Sequence, residues 1–153
     1  MGAIRSKFLN FAYKLFLRQV LINFIVIARF METWEFENLI KDAVEKLPKT
    51  IREKINNVDI VLEEGESPNN SLFGLYHGVA LTSRGSSYGM APTLPDKITI
   101  WKGTIEKFAS SEAEIPSLVR RVVWHEIGHH LGFDEKEIRK LEKKWEKEGK
   151  LKD

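Results

Sequence analysis

His125-Glu126-Ile127-Gly128-His129, continued by His130-Leu131-Gly132-Phe133-Asp134-Glu135, is the most informative stretch of the chain. On a helix, His125 and His129 stand one turn apart on one face, so both imidazoles reach one ion. Neutral imidazole binds zinc at about 2.0–2.1 Å. Glu126 is rotated from His125 by about 100°. It sits beside the ion without binding it, placed as general base for a zinc-bound water. Gly132 lets the helix stop and the chain turn back. Residue 135 is then spaced for a third ligand, which makes it Glu135, with Asp134 as the alternative. A carboxylate oxygen is a normal third zinc ligand. The plainer reading of either acid is a carboxylate at the start of the next helix, favourable with its dipole. His130 points about 100° away from His129 and reads as packed behind the site rather than as a ligand.

The five-residue pattern is weak by itself, and its surroundings strengthen it. Val119, Val122, Val123, Trp124, Ile127 and Leu131 flank it, which predicts a helix buried on much of its surface. Two histidines and a glutamate there must be satisfied, because unpaired buried polar groups cost several kcal/mol. One zinc ion satisfies all three. Upstream, Ser111-Glu-Ala-Glu114 is spaced as a capping box and Pro116 suits a first turn. Downstream, Glu135–Lys147 reads as a charged helix with Ile138, Leu141 and Trp145 as its apolar stripe.

Earlier in the chain, Phe36, Leu39, Ile40, Ala43, Val44 and Leu47 fall on one helical face. Thr33 is the expected cap and Pro48 the stop. A helical turn is expected around Ile51–Ile55. Val58–Glu63 alternates as a strand, Leu72–Leu81 reads as a second strand weakened by Gly74 and Gly78, and Lys97–Trp101 as a third. Thr82–Pro95 is a long loop of the kind that often carries function. Thr104–Ala109 reads as a further helical turn. Helix, strands, helix, helix is an α+β arrangement.

The chain's 153 residues suit one domain. The absence of cysteine excludes a disulfide scaffold, a thiolate zinc finger, an iron–sulfur cluster and a cysteine nucleophile. Residues 1–30 hold five of the 24 basic groups (Arg5, Lys7, Lys14, Arg18, Arg29) and none of the 22 acidic ones. A slightly acidic body with a basic head argues against a nucleic-acid binder. The head is also strongly apolar. Its longest uncharged run, Gln19–Ala28, is far short of the roughly 20 residues that span a bilayer. A signal peptide lacks a good cleavage site here. Two readings of this extension stay open. It is a membrane-surface anchor, or it is read from a misplaced start codon and is not part of the working protein, with the working domain, residues 31–153, opening at Met31.

The chain resembles the small bacterial zincin-like metallopeptidases. The resemblance runs from Phe36 to Ile138 and rests on Phe36–Pro48, Gly74–Arg84, Leu94–Glu106 and His125–Gly132. It implies a minimal zincin: a single α+β domain with a small sheet packed on the active-site helix. It also implies zinc (Zn2+) held by His125, His129 and an acid after Gly132. The family commonly has Asp where this chain has Glu135, a departure at that ligand. The methionine turn of larger metzincins has no counterpart, since no methionine follows Met90.

The expected activity is zinc-dependent peptide-bond hydrolysis with Glu126 as base. A peptide or protein substrate would lie on an exposed strand edge, with Gly74–Val79 and Lys97–Trp101 as candidates. His77, Arg84 and Tyr88 are candidate donors to the oxyanion. The competing reading is a zincin-fold protein that holds zinc and peptide without cutting. Glu126 argues for the enzyme, because a structural zinc site has no use for it. The expected setting is a cytoplasmic monomer without nucleic-acid partners, or a membrane-associated one through residues 1–30.

Overall fold

The structure, a computed structural model, describes residue 14 and residues 16–19, 31–86, 88–90 and 94–150. The chain divides into two units, Met1–Met31 and Glu32–Asp153. In the first, residues 14 and 16–19 are helical. The anchor and start-codon readings of residues 1–30 otherwise lie outside the described residues. Among the described residues, no helix is long and apolar enough to cross a membrane.

The second unit opens with α1 (Thr33–Glu45), which buries Phe36, Ile40 and Ala43. Glu32 rather than Thr33 caps it, sharing a capping box with Glu35. The Thr33 hydroxyl instead donates to Glu64 at 2.6 Å. A single turn, α2 (Lys49–Arg52), follows Pro48.

Among the described residues, three strands form one mixed sheet. β1 (Val58–Glu63) runs parallel to β3 (Asp96–Trp101), and β2 (Gly74–His77) pairs with the other side of β3 antiparallel. The order is β1-β3-β2. Position 58 therefore faces 96, and Tyr76 faces Ile98. Being central, β3 buries Ile98 and Ile100 completely. This corrects one sequence expectation: Lys97–Trp101 has a strand on each side and offers no open edge. The second strand is also shorter than expected. It ends at His77, and Leu81–Ser83 forms a 3-10 turn.

Helix α3 (Lys102–Phe108) continues directly from β3. A 3-10 turn at Glu112–Glu114 leads into α4 (Ile115–Leu131). The Ser111 side chain makes no cap bond. Glu114 does reach back, accepting from the Ser110 N–H at 2.7 Å. α4 is the hub of the domain and packs against α1, β2, β3 and the last helix, α5 (Glu135–Lys147). Its Val119, Val123, Trp124 and Ile127 are almost wholly buried. Trp124 Nε1 donates to the Ala43 carbonyl at 2.7 Å, fixing α1 against α4.

Gly132 ends α4 in the left-handed region, φ 95°. The Gly132 N–H donates to His129 and the Phe133 N–H to Gly128, the paired bonds of a Schellman turn. Only Gly fits: a Cβ at residue 132 would lie 2.0 Å from the Thr82 hydroxyl.

Candidate metal centre

Helix periodicity brings His125 and His129 together, with ring centroids 5.0 Å apart. The Schellman turn reverses the chain at once, so the first residue of α5 returns beside them. Glu135 Oε1 lies 3.3 Å from His125 Nε2 and 3.4 Å from His129 Nε2. The three residues offer ligand atoms all within 4.8 Å of one another. Donors bound at about 2.0–2.1 Å around a tetrahedral ion lie about 3.3 Å apart, so the two nitrogen-to-oxygen separations suit zinc. Two imidazoles and one carboxylate also leave a position open, as in catalytic zinc sites. The residues present fit the ion.

Asp134 is engaged elsewhere. Its carboxylate accepts from the Glu137 N–H at 2.8 Å, while Glu137 accepts from the Asp134 N–H at 2.9 Å. This capping box opens α5 and leaves Glu135 to face the histidines. Opposed to burial, the two histidines and Arg139 hold the Glu135 carboxyl below the usual glutamate range.

Glu126 lies on the neighbouring face of α4 and is largely buried. Its Oε2 accepts from the backbone N–H of Tyr76 in β2 at 2.8 Å. Burial raises its pKa, partly offset by His125, the Tyr76 N–H and His129. The contact depends on Gly74: a Cβ there would lie 2.7 Å from Val122 Cγ1 and 2.9 Å from Glu126 Cγ. The bare backbone of β2 therefore comes down onto α4.

A cleft of about 570 Å³ runs over these groups. Gly74, Leu75 and Tyr76 of β2 form one wall, and Thr82 and Ser83 of the 3-10 turn another. His125, Glu126, His129 and Glu135 all line it.

The sequence model of the zincin-like metallopeptidase family matches residues 49–145. The chain belongs to the zincin-like metallopeptidase family. No curated protein matches it. Two chains among the solved structures match. One is a conserved hypothetical protein from T. thermophilus, 19 % identical, covering 65 % of this chain and 94 % of that one, with a TM-score of 0.47.

In this zincin-like chain the proposed oxyanion donors are placed differently from expectation. His77, Arg84 and Tyr88 do not line the cleft. Arg84 is drawn into a buried cluster around Asp96, because a carboxylate with 4 % exposure needs partners. Asp96 accepts from Arg84 Nη2 at 2.6 Å, Tyr76 Oη at 2.7 Å and the Val79 N–H at 3.2 Å. His130 Nδ1 is 3.1 Å from the same carboxylate. Burial would raise the Asp96 pKa, but these hydrogen bonds outweigh it and hold it below the ordinary value. The Arg84 guanidinium stacks on Tyr88, 4.4 Å from the ring centre. His130 is completely buried, as a packed histidine should be, and burial lowers its pKa.

The zincin-like site includes residues that sequence reasoning missed. Asp96 ties the loop after β2 to α4 through His130, and so braces the cleft wall at Thr82 and Ser83. Glu142 touches His125 from α5. It stands seven residues after Glu135, two helical turns on the same face, and that spacing is readable in the sequence.

Proposed function

We propose that the chain is a zinc-dependent peptidase in which His125, His129 and Glu135 hold the metal and Glu126 is the general base. One observation carries this reading. The two Nε2 atoms and the Glu135 oxygen converge in the same cleft where β2 holds the Glu126 carboxylate by the Tyr76 N–H. Zinc, when bound, polarises the scissile carbonyl and acidifies a water molecule. Glu126 accepts that water's proton and passes it to the leaving amine. The substrate is an extended peptide laid along the side of β2 that β3 leaves unpaired, where backbone hydrogen bonds set its register.

The test is a mixed peptide library incubated with the zinc-loaded full chain. Cleavage that a chelator abolishes, and that Glu126→Gln lacks while still holding stoichiometric zinc, is the expected result. Undiminished turnover by Glu126→Gln would remove Glu126 as base. Peptide capture without cleavage by the unaltered chain would favour a non-catalytic binding protein.

A further inference from the structure

We infer that Glu142 is a positioning residue for the metal site: its carboxylate accepts the Nδ1–H of His125 and so presents the unprotonated Nε2 to the metal. The inference rests on the assignment of His125 as a zinc ligand.

The geometry is specific. Glu142 Oε1 lies 3.1 Å from His125 Nδ1, while Nε2 of the same ring faces Glu135 Oε1 at 3.3 Å. One imidazole is thus held between two carboxylates of one helix, two turns apart. A nitrogen that donates its lone pair to a metal carries no proton, so the single proton of the neutral ring sits on Nδ1. Glu142 is the acceptor placed there. The side chain of Glu142 is 16 % exposed and that of His125 25 %, so water competes weakly for this bond.

The frame that holds Glu142 is firm. Ile138 of α5 is buried at 1 % exposure. Trp145 packs edge-on against Trp124 with ring centroids 4.6 Å apart. Arg121 of α4 pairs with Glu146. These contacts lie on either side of residue 142 along α5, so the carboxylate is delivered by packing rather than by a free surface side chain. His129 has no such partner among the hydrogen bonds of the described residues, which makes His125 the more firmly oriented of the two ligand rings.

The experiment compares zinc affinity, by competition with a chromophoric chelator, for the full chain and for Glu142→Ala, Glu142→Gln and His125→Ala. Circular dichroism checks that each is folded. Glu142→Ala should bind zinc about 10–100-fold more weakly. Glu142→Gln should stay within about threefold of the unaltered chain, because its amide oxygen accepts the same Nδ1–H. With zinc bound, side-chain ¹H–¹⁵N spectra should show a His125 Nδ1–H protected from exchange by its acceptor, and Glu142→Ala should lose that protection. Unchanged affinity, or an unchanged Nδ1–H protection in zinc-loaded Glu142→Ala, overturns the inference. A loss in Glu142→Gln as large as in Glu142→Ala also overturns it, by assigning the effect to charge. If His125→Ala loses zinc while Glu142→Ala keeps it, only the role of Glu142 fails. If His125→Ala keeps stoichiometric zinc, the metal assignment itself fails.

Discussion

The backbone N–H of Tyr76 donates to Glu126 Oε2 at 2.8 Å, across fifty residues of sequence. It joins the strand proposed to receive the peptide to the group proposed to act on the attacking water. Moving one moves the other.

Gly74→Ala tests that link. The new Cβ would press on Val122 Cγ1 and on the Glu126 side chain. Overpacking of this kind costs about 1–3 kcal/mol. Stability should fall by that amount in urea unfolding. Peptide hydrolysis should fall further than zinc binding does, because the histidines are not displaced. Equal losses in both would show that the strand does not position Glu126.

The two acids after Gly132 should separate cleanly. Glu135→Ala should weaken zinc binding strongly while leaving the metal-free chain about as stable, since this side chain is well exposed. Asp134→Ala should keep zinc binding and lose about 0.5–2 kcal/mol of stability, the usual worth of an N-cap. Equilibrium zinc competition beside urea unfolding of the metal-free proteins measures both quantities.

Zinc itself should stabilise the folded chain. A ligand that binds only the native state adds about 2.7 kcal/mol at a free concentration one hundred times its Kd. The melting temperature should therefore rise with zinc in the unaltered chain and stay flat in a His125→Ala, His129→Ala double variant. A rise of equal size in the double variant would place the metal elsewhere.

Asp96 should make stability depend on acid. Its folded pKa is depressed, so on acidification the unfolded chain takes up this proton first. The contribution is complete above the unfolded value of about 3.9 and is lost as pH falls below it through the folded pKa. Asp96→Ala should cost about 3–5 kcal/mol at pH 7, because Arg84 is left buried without its partner. The gap between variant and unaltered chain should narrow at pH 3. A constant gap would show that the carboxylate is not the linked group.

Much of the site was legible because it is local. The four-residue spacing of His125 and His129, the stop at Gly132 and the helix from Glu135 to Lys147 follow from helix geometry over a few turns. The face of α1 was equally clear from Phe36, Ile40 and Ala43. What stayed hidden depends on distant pairing. Alternation marked Val58–Glu63 and Lys97–Trp101 as strands but could not tell which lies in the middle, since each contains apolar residues at alternate positions. Arg84 read as a free donor because its partner, Asp96, is joined to it only after β2 and β3 pair. Capping was misplaced at Thr33 and Ser111 because a neighbouring glutamate served instead: Glu32, aided by Glu35, opens α1, and Glu114 binds the Ser110 N–H ahead of α4.

The join between α4 and α5 has a consequence for what the chain can tolerate there. Gly132, Phe133 and Asp134 make a connection of fixed length, closed by backbone bonds at one end and a side-chain cap at the other. One inserted residue would turn the following helix by about 100° about its axis. Glu135 and Glu142 share a face, so both would swing away from His125 together. At Asp134 this join accepts a change of side chain more readily than a change of length; at Gly132 it accepts neither.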